Sequence, residues 1–148
     1  MIRFRFELEA LLTYRQHQLD QCRQLLAEVL AEQATCQDQR AELRAERESV
    51  ESELRQRSES GRIDISHAAA SRYYMTQLDV QQRGLDLQEQ RILQQLDLCR
   101  QAVVQADKAV KALEKLRDKR LLVHQQQARK REELELHESW SVNSLREH

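Results

Sequence analysis

Residues 19–36 read LDQCRQLLAEVLAEQATC. Steps of three and four from Leu19 land on Cys22, Leu26, Val29, Gln33 and Cys36, and all but Gln33 are apolar. A spacing that averages 3.5 keeps one stripe of a helix facing a partner helix in a left-handed coiled coil. A half-buried strand would instead alternate every second residue, and this stretch does not. Extended outward, the ladder begins Leu8, Leu12, Arg15, Leu19 and ends Arg40, Leu43, Arg47, Val50, Leu54. Ten of its fourteen positions are apolar, enough to define a seam.

A second ladder runs Met75, Leu78, Gln82, Leu85, Glu89, Ile92, Leu96, Cys99, Val103, Ala106, Val110, Leu113. Ten of these twelve are apolar, so the two stripes are matched in kind. Beyond Leu113 the apolar residues Leu116, Leu121, Leu122, Val123, Leu134 and Leu136 are scattered among charges. That pattern predicts a helix that continues with less of its surface covered by the first.

Between the ladders lies Ser58-Glu59-Ser60-Gly61-Arg62-Ile63-Asp64-Ile65-Ser66. Gly61 suits the left-handed residue just past a helix C-terminus. Asp64 or Ser66 suits the N-cap of the next helix, where a side-chain oxygen accepts from an orphan backbone N–H. A short connection joins antiparallel neighbours. The expectation is an all-α chain, one coiled-coil domain over 1–148, folded as a long two-helix antiparallel coiled coil, or α-hairpin. Helix one is expected at about 5–58, the turn at 59–66, helix two at 67–138 and a frayed tail at 139–148. At 1.5 Å per residue the helices would measure about 80 and about 105 Å, a rod. Gly84 falls inside the second ladder, where glycine costs about 1 kcal/mol relative to alanine.

The composition agrees. The 148 residues include no proline, two glycines and 4% aromatics, while 33% are charged. A compact globule with many connections needs more turn residues than that. With 24 basic against 25 acidic residues the net charge is −1, which argues against nucleic acid as a partner, since that binding draws on a basic excess. No apolar run approaches the roughly 20 residues of a membrane span. The opening Met1-Ile2-Arg3-Phe4-Arg5-Phe6-Glu7 lacks a signal-peptide core. A cytoplasmic location is expected. Cys22, Cys36 and Cys99 are odd in number and form no Cys-x-x-Cys pair, so they read as small seam residues.

Nothing in the sequence points to catalysis, a cofactor or a metal. Phosphate-cradling glycine loops, His-Glu-x-x-His and Gly-x-Ser-x-Gly are all missing. His17, His67, His124, His137 and His148 share no ligand spacing and read as solvated helix-surface residues. A two-helix rod also lacks the concave apolar pocket that substrates usually occupy.

Charge is uneven along the chain. Residues 28–59 carry nine acidic and five basic side chains. Residues 108–131 carry nine basic ones (Lys108, Lys111, Lys115, Arg117, Lys119, Arg120, Arg129, Lys130, Arg131) against Glu114 and Asp118. A hairpin would set that stretch beside residues 1–24, whose Arg3, Arg5, Arg15 and Arg23 outnumber Glu7, Glu9 and Asp20. The end holding the termini is then basic, and a protein with an acidic lining is its expected partner. Tyr73 and Tyr74, between Arg72 and Met75, combine residue types favoured at protein interfaces. Neighbours on a helix point about 100° apart, so one tyrosine at most can face a narrow seam.

Three stretches carry a family resemblance. The opening Phe4-Arg5-Phe6-Glu7-Leu8-Glu9-Ala10-Leu11-Leu12-Thr13-Tyr14-Arg15, the mid-chain Tyr74-Met75-Thr76-Gln77-Leu78, and Ala112-Leu113-Glu114-Lys115-Leu116-Arg117-Asp118-Lys119-Arg120 with Glu132-Glu133-Leu134-Glu135-Leu136-His137-Glu138 resemble the flagellar export protein FliJ family in order and spacing. His137 stands where the family's acidic tail carries Asp. The resemblance implies a non-enzymatic stalk of the type III export apparatus, similar to the coiled coil of the ATP synthase gamma subunit. Its implied partners are a hexameric export ATPase (FliI-like), an export-gate protein (FlhA-like) and export chaperones, with peripheral association to the inner membrane through the apparatus. Carried onto this chain, the ATPase-binding candidates are Phe4, Arg5, Phe6, Lys115, Arg117, Lys119 and Arg120. The gate-binding candidates are Tyr73, Tyr74, Leu78 and Leu85. A virulence-type secretion stalk and a generic coiled-coil scaffold without an ATPase partner remain the alternatives.

Overall fold

A computed structural model describes residues 3–61 and 64–147. Met1 and Ile2, Arg62 and Ile63 of the expected turn, and His148 of the expected tail lie outside the described residues. Two helices, α1 (Glu9–Glu59) and α2 (Ile65–Arg146), make up the described chain with no strand. They pack as an antiparallel helical hairpin. Contacts group into two compact units, Met1–Gln21 with Val103–His148, and Cys22–Ala102.

Within the Cys22–Ala102 unit the core is Val29, Cys36, Ile92, Leu96 and Cys99, flanked by Leu26 and Leu85. In the other unit it is Phe6, Leu12, Leu19 and Val110, flanked by Leu8, Val103, Ala106, Leu113 and Leu116 among others. Every position of both sequence ladders is buried or half-buried. Removing such a leucine or isoleucine side chain from water is worth about 1.5–3 kcal/mol, so a succession of narrow layers holds the pair together.

The seam is not apolar throughout. Arg40 reaches across to Asp86 at 2.7 Å and also binds Glu89. Arg47 Nε donates to Asp79 at 2.7 Å, and its guanidinium pairs with Glu51 of its own helix at 3.2 Å. As the α1 partner advances from 40 to 47, the α2 partner retreats from 89 and 86 to 79, which is the antiparallel register of this unit. The hydrogen bond from Arg47 to Asp79, and then their opposite charge, hold the Arg47 guanidinium above its ordinary value.

The helix ends differ from the sequence expectation in three places. α1 starts at Glu9, not near residue 5, because the Glu9 N–H donates to the Phe6 carbonyl at 3.1 Å and residues 3–6 leave the helical path. At its other end Ser60 N–H bonds the Gln56 carbonyl, and Gly61 takes a φ of 72°. A Cβ would strain there, and glycine removes that cost. α2 starts at Ile65, where Asp64 Oδ1 accepts from the Ser66 N–H at 3.0 Å and caps the first turn. It then runs unbroken to Arg146, past the expected end near 138.

Candidate functional site

The residues with interface chemistry fall on one surface in each unit. In the unit containing the termini, the non-helical segment before α1 lies against α2. Phe6 is buried there at 8% exposure, and the Arg120 guanidinium sits 5.7 Å from its ring centre. Arg120 also lies 3.9 Å from the Glu7 carboxylate, a long and mostly solvated pair. Phe4 packs its ring 5.5 Å from His124, tilted by 53°.

Grooves beside this segment gather the cations that the sequence points to. One is lined by Phe4, Arg5, Phe6, Glu9 and Arg117. The next is lined by Arg3, Phe4, Arg5, Lys119, Arg120, Val123, His124 and Gln127. The seven ATPase-binding candidates thus divide by role. Arg5, Lys119 and Arg120 are exposed around the grooves, Phe4 and Arg117 are half-buried, Phe6 is core, and Lys115 is exposed on α2 without lining either groove. Cationic heads that keep their aliphatic stems on an aromatic base present fixed positive charge, which suits an acidic protein surface.

His124 corrects the expectation that every histidine is a solvated surface residue: it is half-buried and stacked on Phe4, and His67 is half-buried as well. The sequence does carry the signal. Continuing from Leu113 by steps of four, four and three reaches Arg117, Leu121 and His124, all half-buried, whereas strict alternation would land on the exposed Arg120, so the covered stripe goes on with a shifted period where its apolar character fails. Arg3 and Glu7 also border or bind this surface, although neither is among the ATPase-binding candidates.

In the Cys22–Ala102 unit, Tyr73 is 67% exposed and Tyr74 38%, so both flank the seam. The Tyr74 hydroxyl donates to the Glu46 carboxylate across the helix pair. That hydrogen bond, with partial burial and the Glu46 charge adding to it, raises the Tyr74 pKa above its ordinary value. Leu78 lies in the core at 3% exposure, and Leu85 is half-buried against the Val29–Cys99 cluster. The four gate candidates are therefore two surface tyrosines and two packing residues of the same helix. Glu46 is not legible in the sequence, because nothing local marks one glutamate among many as a cross-helix acceptor.

Among the described residues no group of three or more His, Cys, Asp or Glu side chains is placed to hold a metal ion. No helix there is long and apolar enough to cross a membrane. The arrangement offers fixed charge and aromatic edges for binding. Residues 4–147 match the family model described as Flagellar FliJ protein. No match was found among curated proteins or among solved structures.

Proposed function

The chain belongs to the FliJ family of flagellar export-apparatus components, and from that premise we propose that it is the non-enzymatic stalk that binds the export ATPase ring and the export gate and promotes their coupling. The match to the flagellar family favours this reading over a virulence-type stalk or a scaffold without an ATPase partner. The observation that carries it is the docking of Phe4 and Phe6 against the cationic stretch of α2, with Arg120 over the Phe6 ring. Two segments far apart in sequence build one basic surface, and an acidic pore lining in a hexameric ATPase is its complement.

In this reading Arg5, Lys115, Arg117, Lys119 and Arg120 supply the charge, while Phe4 and Phe6 fix the segment that carries it. Tyr73 and Tyr74 form the contact with the export gate, while Leu78 and Leu85 hold the helix that carries them against α1. Export chaperones are further partners. The working location is cytoplasmic, at the inner membrane through the apparatus.

The test is co-purification with the cognate export ATPase and stimulation of its hydrolysis. Reversing charge at Arg117, Lys119 and Arg120 should abolish both while leaving helicity intact. Unchanged affinity would remove the ATPase assignment. For the gate, Tyr73→Ala with Tyr74→Ala should weaken binding and motility at near-native stability, whereas Leu78→Ala should act by loosening the core, at about 2–4 kcal/mol. Full gate binding by the double tyrosine variant would refute that half of the proposal.

A further inference from the structure

We propose that the surface begun by Tyr73 continues along the outer side of α2 as a docking strip for one helix of the export gate, with Gly84 as the hole that receives its central apolar side chain. This docking rests on the gate reading above and completes it. An aromatic side chain offers about 150–250 Å² of surface, so Tyr73 at 67% and Tyr74 at 38% exposure present on the order of 200 Å² between them. Even the smaller specific interfaces take about 600 Å² from each partner. Leu78 and Leu85 supply little of the difference, since both are turned into the helix pair.

The missing area lies further along the same side. Steps of seven return to nearly the same side of a helix, and from Tyr73 they reach Val80, 59% exposed, and Leu87, 57% exposed. Leu78, five residues past Tyr73, is about 140° round the helix and buried. Tyr73, Val80 and Leu87 therefore form an apolar line on the side of α2 turned away from α1, all within the Cys22–Ala102 unit.

Gly84 sits between Val80 and Leu87. A side chain from a facing helix enters a hole made by four residues, here Val80, Arg83, Gly84 and Leu87. Glycine is a poor helix former, and nothing in the chain comes within 4 Å of where its Cβ would stand. Packing inside this molecule gives no reason for a glycine there; a large side chain arriving from outside does.

The charges specify the occupant. Arg83 and Arg91, one turn before and one turn after Leu87, are exposed, and neither side chain makes an ion pair among the described residues. The carboxylates nearest Arg83 along the helix, Asp79 and Asp86, are held by Arg47 and Arg40 of α1. Arg91 has only Leu87, Gln88, Gln94 and Gln95 at three and four residues' distance. The occupant is thus an amphipathic helix whose apolar stripe is flanked by Asp or Glu. Tyr73 to Arg91 spans about 27 Å at 1.5 Å per residue, room for about five turns of such a helix.

The experiment is a binding titration of the full chain against the cognate export gate protein, with urea denaturation alongside. Gly84→Leu should fill the hole and weaken binding by on the order of tenfold, while the unfolding midpoint stays level or rises. Leu87→Gln should weaken binding from the rim of the hole without loss of helicity. Arg83→Gln with Arg91→Gln should lower affinity and flatten its decline with added salt. Full binding by Gly84→Leu and by Leu87→Gln, where Tyr73→Ala with Tyr74→Ala loses it, would overturn the helix docking and leave the gate reading in place. Full binding by all of these would overturn both. An unchanged salt response in the arginine variant would overturn the acidic helix as the occupant.

Discussion

The guanidinium carbon of Arg120 stands 5.7 Å from the centre of the Phe6 ring, so one residue of the basic stretch is held by the segment that precedes α1. The ring is core and the cation is surface, at 8% exposure for Phe6 and 43% for the Arg120 side chain. Stability and recognition are therefore separable at this contact. Phe6→Ala should cost about 3 kcal/mol and free residues 3–8 from α2. Arg120→Ala should cost less than about 1 kcal/mol and still weaken ATPase binding. Chemical denaturation beside a pull-down distinguishes the two.

Arg40 is the most committed polar residue of the seam. Its side chain is 21% exposed and that of Glu89 18%, and Asp86 closes the other side of the guanidinium. Arg40→Ala should cost about 2 kcal/mol by leaving Glu89 half-buried without its cation. The paired replacement Arg40→Met with Glu89→Leu should be at least as stable as the native chain, because the desolvation of both charges disappears. Thermal unfolding followed by circular dichroism measures both.

Tyr74 ties stability to alkaline pH. Its hydroxyl must keep its proton to donate to Glu46, and the folded pKa is raised for that reason. The folded chain thus binds this proton more tightly than the unfolded chain. The contribution is complete below the ordinary tyrosine value of about 10 and fades as pH climbs through the raised one. Tyrosinate absorbance should show one late-titrating tyrosine, lost in Tyr74→Phe and brought earlier in Glu46→Gln.

The two glycines should respond with opposite sign. Gly84 lies inside α2 with nothing within 4 Å of a built Cβ, so Gly84→Ala should stabilise by about 0.5–1 kcal/mol. Gly61 also has open space but a φ of 72°, and Gly61→Ala should destabilise by about 1 kcal/mol. Urea denaturation midpoints would report the difference.

The two ladders, the cap of α2 and the glycine that ends α1 are legible in the order of residues alone. Leu8 to Leu54 and Met75 to Leu113 are each a repeat within one segment, and a helix converts that repeat into a stripe whatever lies opposite. Asp64 and Gly61 act on backbone within a few residues of themselves, so their roles too are written locally. Tertiary structure alone decided which charges meet. Arg40 found Asp86 and Glu89, Arg47 found Asp79, and Tyr74 found Glu46, because register between two helices depends on all layers at once and on no single residue. It also turned Phe6 and Leu78 inward and left Tyr73 outside: composition names residues fit for an interface, but exposure is set by what the other helix already covers.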